Sequence, residues 1–432
     1  MSKNIAIIGS GFLGLTLAQR LSDEGNSVTL YEAADRIGGL ASAWSIGDVT
    51  WDRHYHVTLL SDSATRGIVE AIGLGDEFEW VETKTGFFTD GKLYSMSNSL
   101  EFLKFPPLGL IGKLRLGATI FYASKVRDWK ALEKVSVDAW LTKYSGKKTF
   151  EKIWKPLLRA KLGDSYKKTS AAFIWATIQR MYAARNSGLK KEMFGYVRGG
   201  YSRVLKRFAE VLHENGVEIE LSRRVTEVGR ENERCFVLTG EGRREFDEVV
   251  VTCNPGIAAK IIPSLEEEEK ERLSRIKYLG IVCASVLIRD SISEFYVTNI
   301  TDESPFTGII EMSALVDKEE LGGNALVYLP KYVEKDDPLF SKTDDELEDL
   351  FLGELDKMFP QFKRETVEAF RVSRVKEVFP LPEIEYSTRV PGMKCSVDGV
   401  YLVNSSQITN GTLNVNETVL LAEKFLTGGF ID

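Results

Sequence analysis

Histidine, cysteine, net positive charge and long apolar runs are all scarce in this 432-residue chain, and each shortage excludes something. The four cysteines, Cys235, Cys253, Cys283 and Cys395, lie far apart without a C-x-x-C pair, so neither a disulfide framework nor a zinc site is indicated. A reducing, cytoplasmic location is the expectation. A formal net charge of -7 offers no overall positive field to nucleic acid, while leaving room for a local basic pocket. No run of about 18 uninterrupted apolar residues exists, so no transmembrane span is expected. The nearest candidate, "FPPLGLIGKLRLGATIFYASKV" from Phe105, is broken by Lys113 and Arg115. It reads as a helix walling a hydrophobic pocket, with a peripheral membrane contact as the alternative. "KNIAIIGSG" already reads as a strand entering a glycine turn, so no signal peptide is expected. Oligomeric state is open.

What is present is more informative. An apolar strand at Ile5–Ile8, a glycine turn, a helix from about Leu13 to Glu24 and a second strand, "SVTLYE", make a βαβ unit and hence a doubly wound parallel sheet. From about Gly86 to Leu189 the pattern is mainly helical. Strand-like runs return after "VRGGYSRVLKRFAEVLHENG". Around one acidic helix, "KTDDELEDLFLGELDKMF", read as a solvated surface element, lie "LGIVCASVLIR" and "VEAFRVSRVKEVFP". The chain closes with a strand, a polar loop and a helix, "GVYLVNSSQITNGTLNVNETVLLAEKFL". Two discontinuous domains are expected: 1–85, 196–272 and 385–432 form one, and 86–195 and 273–384 the other.

"GSGFLG" places Gly9, Gly11 and Gly14 in G-x-G-x-x-G spacing between strand and helix. Gly9 permits the tight turn, Gly11 lets backbone approach a pyrophosphate, and Gly14 lets the helix lie close on the sheet. Glu32 follows Gly14 by eighteen residues, near the spacing of about 20 at which a carboxylate meets a ribose diol. NAD and FAD both fit to this point. Arg36 and the Gly38-Gly39 pair then supply a second glycine turn, useful to a longer cofactor whose diphosphate continues toward a buried ring.

Together these motifs resemble the FAD-dependent superfamily of flavin amine oxidases, protoporphyrinogen oxidase, phytoene desaturases and UDP-galactopyranose mutase. The resemblance is most specific over Ile5–Ala41, then at "RRVTEV" and the C-terminal strand, loop and helix. It implies a Rossmann-like α/β FAD-binding domain with a discontinuous α+β substrate domain. Gly9, Gly11, Phe12, Leu13 and Gly14 would form the pyrophosphate turn, and Glu32 with Ala33 would meet the ribose. Arg36, Gly38, Gly39 and Leu40 would border the phosphates, and Val225 would offer backbone to the adenine. The helix near Val415 would aim its N-terminus at the flavin, with Leu413 and Asn414 as amide donors. Many relatives carry Gly-Asp after the last strand; here "LVNSSQI" supplies Asn404, Ser405 and Ser406, which carry no charge.

His54 and His56 sit in "HYHVT", and His213, in "RFAEVLHENG", reads as a surface residue, so a metal site lacks ligands. On an extended segment the pair would share one face, either as structural histidines or as a pocket wall. The resemblance favours a strand bringing His56 toward the flavin. Lys155, Arg159 and Lys161 read as a solvated face or as an anion-recognising rim, and Arg198 or Tyr201 as reaching the site. Catalytic candidates are therefore His56, His54 and Lys161, with no metal. The implied activity is hydride transfer from a small organic substrate to flavin N5; a redox-neutral mutase acting on a nucleotide sugar is the alternative.

Overall fold

In the computed structural model, residues 2–186 and 193–431 are described. A five-stranded sheet runs in the order Glu218–Glu220, Ser27–Tyr31, Asn4–Ile8, Glu248–Val251, Val400–Leu402, with every neighbouring pair parallel. Four of its strands, Ser27–Tyr31, Asn4–Ile8, Glu248–Val251 and Val400–Leu402, are mainly apolar and buried because both faces are covered, while the edge strand Glu218–Glu220 is mainly polar. Ile5 and Ile7 pack beneath the helices Phe12–Asp23, Gly200–Glu214 and Val415–Thr427. Ala6, Ile8, Val249 and Val251 pack on the opposite side, against a three-stranded antiparallel sheet made from Val225–Glu231, Arg234–Thr239 and Gly242–Phe246. Sequential parallel strands leave their C-terminal ends at one edge, where the glycine turns lie.

A second sheet of seven strands runs in the order Val367–Pro380, Tyr278–Ile288, Ala325–Glu334, Gly308–Glu311, Val297–Ile300, Thr85–Thr89, Lys92–Ser95. Residues of the Tyr278–Ile288 strand alternate between layers: Val282, Ala284 and Val286 meet the helix Asp344–Met358, whereas Ile281 and Cys283 meet Trp51, Tyr196 and Met312. That acidic helix is thus only half solvated. A Thr343–Glu346 capping box starts it, and it buries Leu347, Phe351, Leu352, Leu355 and Met358.

Helices between Ser99 and Asn186 form a lobe with its own core, joined to the seven-stranded sheet through Leu279 and Phe379. The tail of the expected helical stretch, 187–189, lies outside the described residues. Two expectations need correction. The Leu110–Lys125 helix turns only part of its apolar surface inward: it buries Lys113, Leu116, Thr119 and Ala123 while Leu110, Ile111 and Leu114 stand in solvent. No strand carries both histidines; residues 53–57 bend without regular structure, and pairing resumes only at Thr58–Leu59. Period-two alternation does not govern this stretch, because His54 and His56 are drawn to different partners. No described helix is long and apolar enough to cross a membrane.

Candidate active site

At the edge of the parallel sheet the two glycine turns touch. Gly9 has φ +109, Gly38 φ +108 and Gly39 φ +55, left-handed conformations that tolerate no side chain easily. The Gly38 amide donates to the Ser10 carbonyl at 2.8 Å, and a Cβ added to Gly39 would lie 3.3 Å from the Gly11 Cα. A Cβ on Gly14 would sit 1.9 Å from the Gly9 carbonyl oxygen, so only glycine lets the helix approach this closely. A Cβ on Gly11 would meet nothing within 4 Å, and no side chain caps the helix that starts there. The arrangement is a backbone cradle, open above Gly11, at a positive helix end. Phe12 and Leu13 are buried beneath it, with Phe12 edge-on to Tyr201 at 5.2 Å.

Glu32 follows the second strand. Its carboxylate accepts from the Ser10 amide (3.0 Å), the Ser10 hydroxyl (2.6 Å) and the Ala34 amide (2.9 Å), which holds it beside the first turn. Its backbone carbonyl accepts from the Arg223 amide at 2.8 Å, so Val225, two residues on, opens its strand nearby. Ala33 is exposed. Arg36 is also exposed and forms a two-pronged pair with Asp35 at 2.9 and 3.0 Å.

Arg53, which sequence reasoning passed over, is the more telling cation. It is half buried, faces no carboxylate within ion-pair distance among the described residues, and its Nε has no partner. Burial, together with the like charges of Arg36 and Arg371, holds its guanidinium below the usual arginine value. Its backbone amide donates to the Ser42 carbonyl at 3.0 Å, one residue beyond the second glycine turn. A half-buried arginine among like charges wants an anion.

Asn404 and Ser405 come from the far end of the chain to this same edge: Val403 bonds to the Val251 carbonyl at 3.0 Å. Asn404 caps a short turn by accepting from the Ser406 amide and hydroxyl, and the Ser405 hydroxyl lies 3.3 Å from that of Tyr278. Asn414 caps the last helix through its side-chain oxygen on the Glu417 amide at 3.0 Å. The backbone amides of Leu413 and Asn414 bond to no described residue, as free donors at a helix start do.

The histidines part company. His54 is 7% exposed, and its Nδ1 lies 3.1 Å from the Leu40 carbonyl while Nε2 lies 3.0 Å from the Ser373 hydroxyl. A carbonyl only accepts, so Nδ1 carries the proton and Nε2 accepts from Ser373. Burial depresses its pKa to about 3, leaving it neutral. Both nitrogens are engaged, which leaves neither for a substrate. His56 instead stands 3.7 Å from Asp52 through Nδ1, with its ring 5.1 Å from Tyr201. Asp52 is fully buried, and desolvation raises its carboxyl despite His56 and the Tyr201 amide, which donates to it at 2.8 Å. These groups border a cavity of about 10 Å³, room for one water.

The basic helix splits likewise. Lys155 pairs with Glu151 at 2.6 Å and Arg159 lies 3.7 Å from Asp164, the solvated behaviour. Lys161 has no carboxylate partner among the described residues and lies half buried, 3.8 Å above the Tyr332 ring and 5.6 Å from that of Phe379. The Tyr332 hydroxyl meets that of Tyr55 at 3.1 Å. Tyr55 lies between the two histidines, so this wall of Lys161, Tyr332 and Tyr55 reaches their segment. Neither tyrosine was anticipated, since strict alternation would have turned Tyr55 away. Arg198 is exposed and paired with Glu79 at 2.6 Å, whereas Tyr201 is buried between Phe12 and His56.

A glycine cradle at the carboxyl edge of a parallel sheet defines a dinucleotide-binding protein by its build. The family model for flavin containing amine oxidoreductases matches residues 14–411, and the chain belongs to that family of FAD-dependent oxidoreductases. It is 23% identical over 318 residues to the probable zeta-carotene desaturase of Synechococcus elongatus, covering 66% of this chain and 65% of that one. The chain thus spans a little under two thirds of that relative's length. Among solved structures, an oxidoreductase from Methanosarcina mazei superposes with a TM-score of 0.78 at 16% identity, over 98% of this chain and all of that one. A redesigned putrescine oxidase gives 0.78 at 16% identity, over 99% and 98%. Both share the two-domain fold. These names lend nothing to the mutase alternative. FAD is the cofactor of the family, and the open cradle, Arg53 with no carboxylate partner among the described residues, and the helix-end amides that bond to no described residue suit its diphosphate and its anionic ring edge.

Proposed function

We propose that this chain oxidises a small organic substrate bearing an acidic group, using FAD held by Gly9, Gly11, Phe12, Leu13 and Gly14 at the pyrophosphate. In this reading Glu32 and Ala33 face the ribose, and Val225 offers backbone to the adenine. Arg36, Gly38, Gly39 and Leu40 border the phosphates with Arg53 added to them, Asn404 and Ser405 lie along the chain toward the flavin, and the Leu413 and Asn414 amides meet the flavin edge. Bound FAD supplies a hydride acceptor for a substrate C–H.

The chain's own residues bind and orient. The observation that carries the substrate class is Lys161, an ammonium on a half-buried aromatic wall without a carboxylate partner among the described residues. It holds the acidic group, while Tyr332 and Tyr55 flank the rest. His54 acts as a tie between the second glycine turn and the Ser373 strand. His56, paired with buried Asp52, positions Tyr201 and with it Phe12 under the cradle. In this reading 1–85, 196–272 and 385–432 hold the cofactor, and 86–195 and 273–384 the substrate. The four unpaired cysteines suit a cytoplasmic setting.

An anaerobic screen of flavin bleaching across amines, porphyrinogens, polyenes and nucleotide sugars tests the reading. Acidic substrates should bleach the flavin, and Lys161→Met should raise their KM about tenfold with little change in kcat, the loss expected for one charge-assisted contact. Equal KM values for the variant and the unaltered protein would remove Lys161 from the site.

A further inference from the structure

Seven of the twelve exposed large hydrophobic side chains among the described residues lie between Leu100 and Tyr122. Leu100 and Leu103 stand on the Ser99–Lys104 helix at 60% and 53% exposure; Leu110, Ile111, Leu114 and Phe121 stand on the Leu110–Lys125 helix at 58–74%. On a 3.6-residue helix, positions 110, 111, 114 and 121 share one face. The two helices are locked together, since Lys113 is buried and its Nζ donates to the Leu103 carbonyl at 2.7 Å. The orientation is therefore built in: a lysine goes inward and leucines go outward.

Charge accompanies the apolar face. Residues 99–168 hold sixteen lysines and arginines against six carboxylates, a local excess of ten in a chain of net charge -7. Lys104, Arg115, Lys125, Lys147 and Lys148 are exposed. None has a carboxylate partner among the described residues, whereas basic groups elsewhere on the surface commonly do, as Arg207 does with Glu214 and Arg289 with Glu368. Lys147 and Lys148 follow Gly146, against which the Arg115 guanidinium packs, so they flank the same helix. A soluble protein surface seldom combines a contiguous apolar patch with unpaired cations. A second copy of this chain would bring its own cations against these, which repel.

We propose that this face docks in the plane of an anionic lipid bilayer, with the leucines, Ile111 and Phe121 entering the headgroup boundary and the basic residues meeting lipid phosphates. The contact is peripheral and independent of the reaction proposed above. The purified full-length holoprotein is tested by co-sedimentation with vesicles of pure phosphatidylcholine and of equimolar phosphatidylcholine and phosphatidylglycerol. The protein should partition onto the mixed vesicles, poorly onto the neutral ones, and release as salt rises. Neutralising Arg115, Lys147 and Lys148 one at a time to Gln should weaken binding about fivefold each. A combined Leu110→Ser, Ile111→Ser, Leu114→Ser variant should lose at least about tenfold while retaining its flavin spectrum, since these side chains support no core. Protein that stays in the supernatant with both vesicles, or binds both equally and regardless of salt, overturns the proposal. A dimer in light scattering that Leu114→Glu splits, without vesicle binding, overturns it in favour of a second copy.

Discussion

Replacing His54 by Phe should remove a defined part of the protein's acid sensitivity. The ring is buried and neutral, with its pKa depressed from the usual 6.5 to about 3 by loss of solvent. The unfolded chain takes up a proton at about pH 6.5 while the folded chain refuses it, so protonation favours unfolding. The stabilisation is complete above pH 6.5 and is lost as pH falls from there toward 3, at about 1.4 kcal/mol per pH unit. Between pH 7.5 and pH 5 the loss is about 2 kcal/mol. His54→Phe lacks this term. It is less stable at pH 7.5, by about 2 kcal/mol, because the Leu40 carbonyl and Ser373 hydroxyl lose their partner. The gap between the two proteins should therefore nearly close at pH 5. Urea unfolding followed by tryptophan fluorescence at both pH values reads the difference of differences, in which carboxylates common to both proteins cancel. A gap that is unchanged between pH 7.5 and pH 5 would refute the buried, neutral tie.

Gly14→Ala would press a methyl about 1.5 Å inside ordinary contact with the Gly9 carbonyl; backbone must move, so flavin content measured by the 450 nm absorbance should fall at least tenfold and stability by about 1–3 kcal/mol. Arg53→Gln should weaken FAD binding by about 1.5–3 kcal/mol, seen by calorimetry on the apoprotein, while leaving the thermal midpoint of the apoprotein unchanged or higher, because a half-buried charge with no carboxylate partner among the described residues is removed. Burial raises the Glu311 carboxyl to about 7 from the usual 4.5. The folded chain holds this proton longer than the unfolded one, so stability falls as pH rises from 4.5 through 7; Glu311→Gln should be more stable at pH 8 by up to about 3 kcal/mol and show little gain at pH 4.5, measured by urea unfolding.

The cofactor half of the molecule was legible because its chemistry is local. Gly9 and Gly14 each answer to a backbone need that other residues do not meet, Gly11 leaves the cradle open, and their spacing from Glu32 spans a single βαβ unit. Asn404 and the last helix could be placed only through resemblance, since nothing local ties residues 404 and 414 to residue 9. The histidine segment misled because alternation presumes a paired strand, whereas His54 is set by two distant groups, the Leu40 carbonyl and Ser373. Arg53 stayed hidden for the opposite reason: what marks it is a half-buried Nε that no described residue meets, and sequence spacing does not show burial. The Leu110–Lys125 helix has the composition of a buried wall, and only the inward Lys113 reveals which way it turns.

The central claim, FAD seated on the touching glycine turns, meets its most direct test in a fluorescence titration of FAD into the apoprotein beside Gly14→Ala. Saturable quenching at one FAD per chain, with at least tenfold weaker binding by the variant, is the predicted result. Apoprotein that leaves flavin fluorescence unquenched, or a variant that binds FAD as tightly as the unaltered chain, would contradict it.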